Sequence, residues 1–150
     1  MRLYKVPVDA SFETPAIAGN SVQFSIGDAV YVDTSGFLAI ATTSSKIYGF
    51  VMEGFTATAD NQTVKKYKPT VLPGIQGVQV VMPMSTAIAQ TNVGEYSDLS
   101  TTTTGAQVLN ATTSGAAQFY VVDFDPEQDG TTTDAVVEVA EYQKAGFAQA

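Results

Sequence analysis

Residues 22–55 read VQFSIGDAVYVDTSGFLAIATTSSKIYGFVMEGF, and this stretch decides the fold class. Val22, Phe24 and Ile26 alternate with Gln23 and Ser25, the period of a half-buried strand. Gly27-Asp28 breaks the pattern, and Ala29 to Val32 starts a second strand. Asp33-Thr34-Ser35-Gly36 has Asp first and Gly last, as a tight type I turn prefers. Phe37 to Ala41 then returns as the hairpin partner. After the polar stretch 42–46, Ile47-Tyr48-Gly49-Phe50-Val51-Met52 is a further strand. A glycine inside such a run signals close approach of another backbone, or a bulge.

The same chemistry extends outward. Among 150 residues there are 18 Val, 6 Ile and 19 Thr against only 5 Leu, and these β-branched side chains suit a pleated surface. Val78, Val80, Met82 and Met84 share one face of a strand. Residues 94–99 read as a strand or turn, and 101–104, four threonines, as a loop or edge. Ala106 to Asn110 and Gln118 to Phe124 read as a hairpin around a turn at 112–115. Asp134 to Tyr142 is the last strand, with Val137 and Val139 on one face. The expected fold is all-β, a compact barrel, β-tulip or sandwich of about ten short strands spaced about ten residues apart. TTTTGAQ at 101–107 echoes ATTSGAAQ at 111–118, which reads as repeated hairpin chemistry. No sustained repeat period is present.

The sequence divides into four regions. Residues 1–20 form an N-terminal arm, 21–68 a first β-unit, 69–77 a connecting loop with Pro69, Pro73, Gly74 and Gly77, and 78–150 a second β-unit. The length permits one domain, or two small β-units sharing a core. In the arm, Tyr4, Val6 and Val8 alternate with Lys5 and Pro7. Because Pro7 donates nothing to a ladder, this is either an edge strand of its own sheet or an extended segment that reaches a neighbour. Arg2 and Lys5 add positive charge to it.

Composition excludes whole classes of chemistry. The chain has no Cys and no His, so thiolate nucleophiles, Ser-His and Cys-His pairs and Cys/His zinc sites are ruled out. Seven Lys and Arg against fifteen Asp and Glu give a net charge of −8, the wrong sign for a nucleic-acid footprint. No run approaches the roughly 18 apolar residues of a membrane span. Carboxylate pairs are the only general acid/base machinery left, and no pair stands out among fifteen acids. No catalytic or cofactor-binding residue is assigned.

Two charged segments remain. Asp125, Glu127 and Asp129 occupy positions 1, 3 and 5 of a calcium-loop spacing with Gly130 at 6, but Val136 stands at position 12 where such loops carry Glu. The segment reads first as a solvated turn and second as a calcium candidate. Lys65, Lys66 and Lys68 fall within four positions, whereas residues 69–143 contain no Lys or Arg and nine acids lie from Glu95 to Glu141. This cluster either guards an edge strand or docks on the acidic half of a neighbouring copy.

The 22–55 block resembles the head decoration (capsid cement) proteins of tailed bacteriophages. The resemblance rests on Ile26-Gly27-Asp28, the turn Asp33 to Gly36, Phe37 to Ala41 and Tyr48-Gly49-Phe50-Val51. The segment FYVVDFDPEQDG at 119–130, with the Val-rich strand after it, is similar to the second β-unit of some such proteins. The resemblance implies a β-tulip or barrel-like chain, often a homotrimer, made in the host cytoplasm. It would sit on the outer surface of the virion's capsid and bridge major capsid protein subunits to stabilise the head, with no nucleic-acid or membrane partner. Interface candidates are Arg2, Tyr4, Lys5, Val6, Val8, Lys65, Lys66 and Lys68. The alternative is a carbohydrate-binding or adhesive β-sandwich module, calcium-binding if the 125–129 acids hold an ion.

Overall fold

The computed structural model describes residues 2–5, 18–19, 22–56, 68–75, 77–102, 105–111, 115–124 and 134–140. The described residues hold 13 strands and one short 3-10 turn, Gln90–Asn92. No helix among them is long and apolar enough to cross a membrane. The strands are β1 (Arg2–Lys5), β2 (Gln23–Phe24), β3 (Ala29–Val32), β4 (Leu38–Ile40), β5 (Gly49–Val51), β6 (Phe55–Thr56), β7 (Val71–Pro73), β8 (Gln79–Pro83), β9 (Tyr96–Ser97), β10 (Leu99–Thr101), β11 (Gln107–Leu109), β12 (Phe119–Phe124) and β13 (Asp134–Val139). They form a five-stranded sheet, β1-β8-β13-β12-β9, and a four-stranded sheet, β4-β3-β5-β7, with two-stranded ribbons β10-β11 and β2-β6. All strand pairs are antiparallel. The arrangement is all-β and sandwich-like, with no closed barrel among the described residues.

Alternation within each strand builds two cores. Ala29, Phe50 and Leu72 of the four-stranded sheet pack with Val80, Met82, Phe119, Val121, Ala135, Val137 and Val139 of the five-stranded sheet. The intervening residues Val30, Leu38, Val51 and Val71 face the other way and pack with Ala18 and Phe24. The four-stranded sheet is therefore covered on both faces, and its strands read as near-continuous apolar runs. Phe24 and Phe55 close the second core as a parallel ring pair, 6.1 Å between centroids at 7°. The first core draws on both β-units, so the two halves of the chain share one interior.

The Asp33–Gly36 turn forms as the sequence dictates. Asp33 Oδ1 accepts from the amides of Ser35 at 2.8 Å and Phe37 at 2.9 Å. Gly36 takes φ +82, a conformation that costs other residues a backbone–side-chain clash. Val78, Val80, Met82 and Met84 share one face, all in the first core, as do Val137 and Val139.

Three expectations are corrected. Ile26 is 64% exposed, because β2 stops at Phe24. Asp28 Oδ2 accepts from the Ser25 amide at 2.7 Å, and Gly27 takes φ +93. Together they turn the chain before Ile26 reaches the core. Within 69–77, read as a connecting loop, Val71–Pro73 forms β7 at the edge of the four-stranded sheet. The Met52 amide bonds to Thr70 O and the Gly74 amide to Tyr48 O. Gly49↔Pro73 is thus a non-hydrogen-bonded pair, and the missing N–H of Pro73 falls where no donor is needed. Finally, 106–124 is not a hairpin. β11 pairs with β10, while β12 pairs with β13 and β9. The segment between β11 and β12 is bonded elsewhere: the Ala117 amide donates to Asp98 Oδ1 at 2.5 Å and the Asn110 amide to Asp98 O at 2.9 Å.

Candidate functional site

Of the arm candidates, Arg2, Tyr4 and Lys5 lie in β1, which pairs with β8 as the outermost strand of the five-stranded sheet. Arg2 stands opposite Val81 and Lys5 opposite Gln79, with a register shift between Leu3 and Lys5. For residues 2–5 this is the edge-strand alternative. Val6 and Val8 lie outside the described residues, as do Lys65 and Lys66. Lys68 is exposed. The calcium candidates Asp125, Glu127 and Asp129 also lie outside them. Among the described residues no group of three or more acids is gathered to hold a metal.

Two surface features stand out in their place. The first is a groove of about 610 Å³ lined by Ser25, Ile26, Asp28, Ile40, Met82 and Gln107, among others. It combines an exposed isoleucine with main-chain and amide groups. Asp28, the one carboxylate among its described lining residues, is engaged by the Ser25 amide. Such a lining suits an extended polypeptide or a small ligand of mixed polarity more than bond-making chemistry, which needs at least two cooperating groups.

The second feature is an aromatic pair on the outer face of the five-stranded sheet. Tyr96 of β9 stands opposite Tyr120 of β12. Their rings meet edge to face, 5.6 Å between centroids at 65°, and are 40% and 38% exposed. The next strand places Glu138 opposite Tyr120, and Glu138 Oε1 accepts from Gln79 Nε2 at 3.0 Å. Backbone bonds from Gly94 N to Val121 O and from Val121 N to Glu95 O, both 2.9 Å, fix β9 against β12. The pair is not legible in the sequence, because the two tyrosines lie 24 positions apart and only strand pairing makes them neighbours.

Beneath the surface, two glutamines join the halves of the chain. Gln107 Oε1 accepts from the Ala29 amide at 2.7 Å, and its Nε2 donates to Ala29 O and Ala41 O at 3.0 Å each. Gln118, fully buried, donates from Nε2 to Thr42 O at 2.8 Å and Ser45 O at 2.7 Å, and accepts from the Leu99 amide at 2.8 Å. Both close the echoed TGAQ and SGAAQ segments. Gly105 and Gly115 take φ +88 and +114, and Ala117, the extra residue of the second copy, takes φ +50. The echo, read in the sequence as repeated hairpin chemistry, marks two side-chain clamps instead. Every buried side-chain N or O among the described residues has a partner.

No protein family, no curated protein and no solved structure matches this chain.

Proposed function

We propose that this chain is a capsid decoration protein of a tailed bacteriophage, binding the outer face of the head shell and bridging neighbouring major capsid subunits. The observation that carries the reading is the 22–55 block. Its quoted motifs, Ile26-Gly27-Asp28, the Asp33–Gly36 turn and Tyr48 to Val51, are successive parts of one unit. The Val51 amide bonds to Asp28 O at 2.9 Å and the Gly27 amide to Val51 O at 2.7 Å, so the Gly-Asp step is bonded to the Gly-Phe-Val strand. Residues that carry the resemblance are therefore structurally coupled and not scattered. The physics of the role also suits the chain. A protein repeated over a lattice gains avidity from many modest contacts and needs no reaction centre. A net charge of −8 is tolerable outside the shell, away from DNA. The homotrimeric state that the resemblance implies is part of the proposal.

The test is addition of the purified protein to heads that lack it. The expected result is saturable binding at a fixed ratio to the major capsid protein, with heads that resist heat or osmotic shock better. Failure to bind, or equal fragility with and without the protein, overturns the reading.

A carbohydrate-binding or adhesive module is the second reading, favoured by the exposed Tyr96–Tyr120 pair. The 65° between the rings leaves one of them to lie flat against a sugar, where stacking sites commonly present a broad platform. Retention on an oligosaccharide column that is lost in Tyr96→Ser would establish it over the first.

A further inference from the structure

We propose that the Tyr96–Tyr120 face is a docking surface for a second copy of this chain, and that what docks there is the neighbour's lysine run ending at Lys68. This inference is independent of shell binding.

The face is built for a cation. Tyr96, Tyr120 and Glu138 form one transverse row across β9, β12 and β13, and Glu138 is bonded to Gln79 of β8 in the same row. Glu95 precedes Tyr96 and is exposed, and Asp123 is exposed further along β12. The ring face that the edge-to-face pair leaves open, beside the Glu138 carboxylate, attracts an ammonium group by cation–π and Coulomb terms together. The strands β8, β9, β12 and β13 contain no Lys or Arg. Following the row onward, the first basic position is Lys5 of β1, opposite Gln79. It lies three strands from Tyr120, about 14 Å at the usual strand spacing.

This charge pattern selects the kind of contact. A two-fold contact of the patch upon itself would bring carboxylate against carboxylate, which is repulsive. A different surface of the neighbour has to supply the positive charge. Lys65, Lys66 and Lys68 are three of the chain's seven basic residues within four positions, and Lys68 is exposed. Lys68 stands just before β7, a strand of the sheet opposite the one that carries the tyrosines. Patch and Lys68 thus belong to different sheets of one molecule, as head-to-tail association requires, and such association closes into a ring when the rotation between copies permits.

The experiment uses two full-length variants and light scattering or sedimentation. One, Tyr96→Ser with Tyr120→Ser, breaks the patch and keeps the lysines. The other, Lys65→Glu with Lys66→Glu and Lys68→Glu, breaks the run and keeps the patch. The expected result is concentration-dependent association of the unaltered protein that weakens about tenfold or more from low salt to 0.5 M salt, as screening requires. Each variant alone is monomeric, and an equimolar mixture gives a dimer that grows no further. If the tyrosine variant fails to fold, the lysine variant decides alone. The inference is overturned if the unaltered protein is monomeric at low salt, if the lysine variant associates like the unaltered protein, or if the two folded variants mixed show no dimer. Retention on a sugar column without self-association overturns it equally.

Discussion

The side chain of Gln107 holds both main-chain groups of Ala29, accepting from its amide at 2.7 Å and donating to its carbonyl at 3.0 Å. The two residues are 78 positions apart, and the amide does what a neighbouring strand's backbone would do. Gln118 repeats the device one loop further on, holding Thr42 O and Ser45 O. The segment that follows β4 is thereby fixed to the C-terminal half by two side chains, in addition to the shared apolar core.

Truncating these clamps separates them by burial. In Gln118→Ala, the Leu99 amide and the Ser45 carbonyl lose this partner at a site of 0% exposure, while Thr42 O keeps the Ser45 amide at 3.1 Å. Each buried group left unsatisfied costs about 1–3 kcal/mol, so a loss of about 3 kcal/mol or more is expected. Gln107→Ala is milder, about 1–2 kcal/mol, because that site is half-buried and water can replace part of the amide. Urea unfolding measures both. A Gln118→Ala protein within about 0.5 kcal/mol of the parent would show that the clamp is dispensable.

Gly49→Ala tests the contact between β5 and β7. A Cβ at position 49 would lie 2.2 Å from Leu72 O and 2.8 Å from Val71 Cγ1. Backbone cannot yield as a side-chain tip does, so β7 must shift away from the sheet. A loss of about 3 kcal/mol or more is expected, at the upper end for overpacking. An unchanged melting temperature would contradict the close approach.

The hairpin turn makes a smaller, separable contribution. Asp33→Ala removes the acceptor for the Ser35 and Phe37 amides, which stand partly in solvent. The expected loss is about 1 kcal/mol. Gly36→Ala forces an alanine to φ +82 at about 1–2 kcal/mol, although nothing lies within 4 Å of the added methyl. If Gly36→Ala were neutral, the turn would have to adopt another geometry, visible in the amide shifts of Ser35 and Phe37.

Dividing the chain tests whether the two β-units are separate. Ile47, Phe50 and Leu72 are buried against Val80, Phe119 and Val137. A fragment ending at residue 77 would expose that whole face, so it is expected to show no cooperative thermal transition. A sharp transition in the isolated fragment would establish an independent first unit.

Much of the fold was legible because it is local or periodic. The period-2 run at 78–84 named the buried face of β8, and Asp33 with Gly36 named a turn whose chemistry lies within five residues. Gly49 announced a close approach, and the structure supplies its partner, Leu72. The departures came where a short-range signal competed with another. Pro73 and Gly74 read as loop, yet an edge strand accepts a proline at a position that donates nothing. Ile26 continued an alternation that Asp28 had already ended.

The sequence by itself determined that this protein is all-β, free of thiol and imidazole chemistry, acidic in its second half and basic at 65–68. Those properties follow from side-chain shape, from the presence or absence of functional groups and from charge, each carried by single residues. Only the tertiary structure decided that β11 pairs with β10, that Gln107 and Gln118 reach back to Ala29 and Ser45, and that Tyr96 meets Tyr120. Strand pairing joins residues tens of positions apart, and the free energy that selects one partner over another comes from burying a whole sheet face at once. No single residue carries that information, so it is expressed only when the two sheets close on their common core.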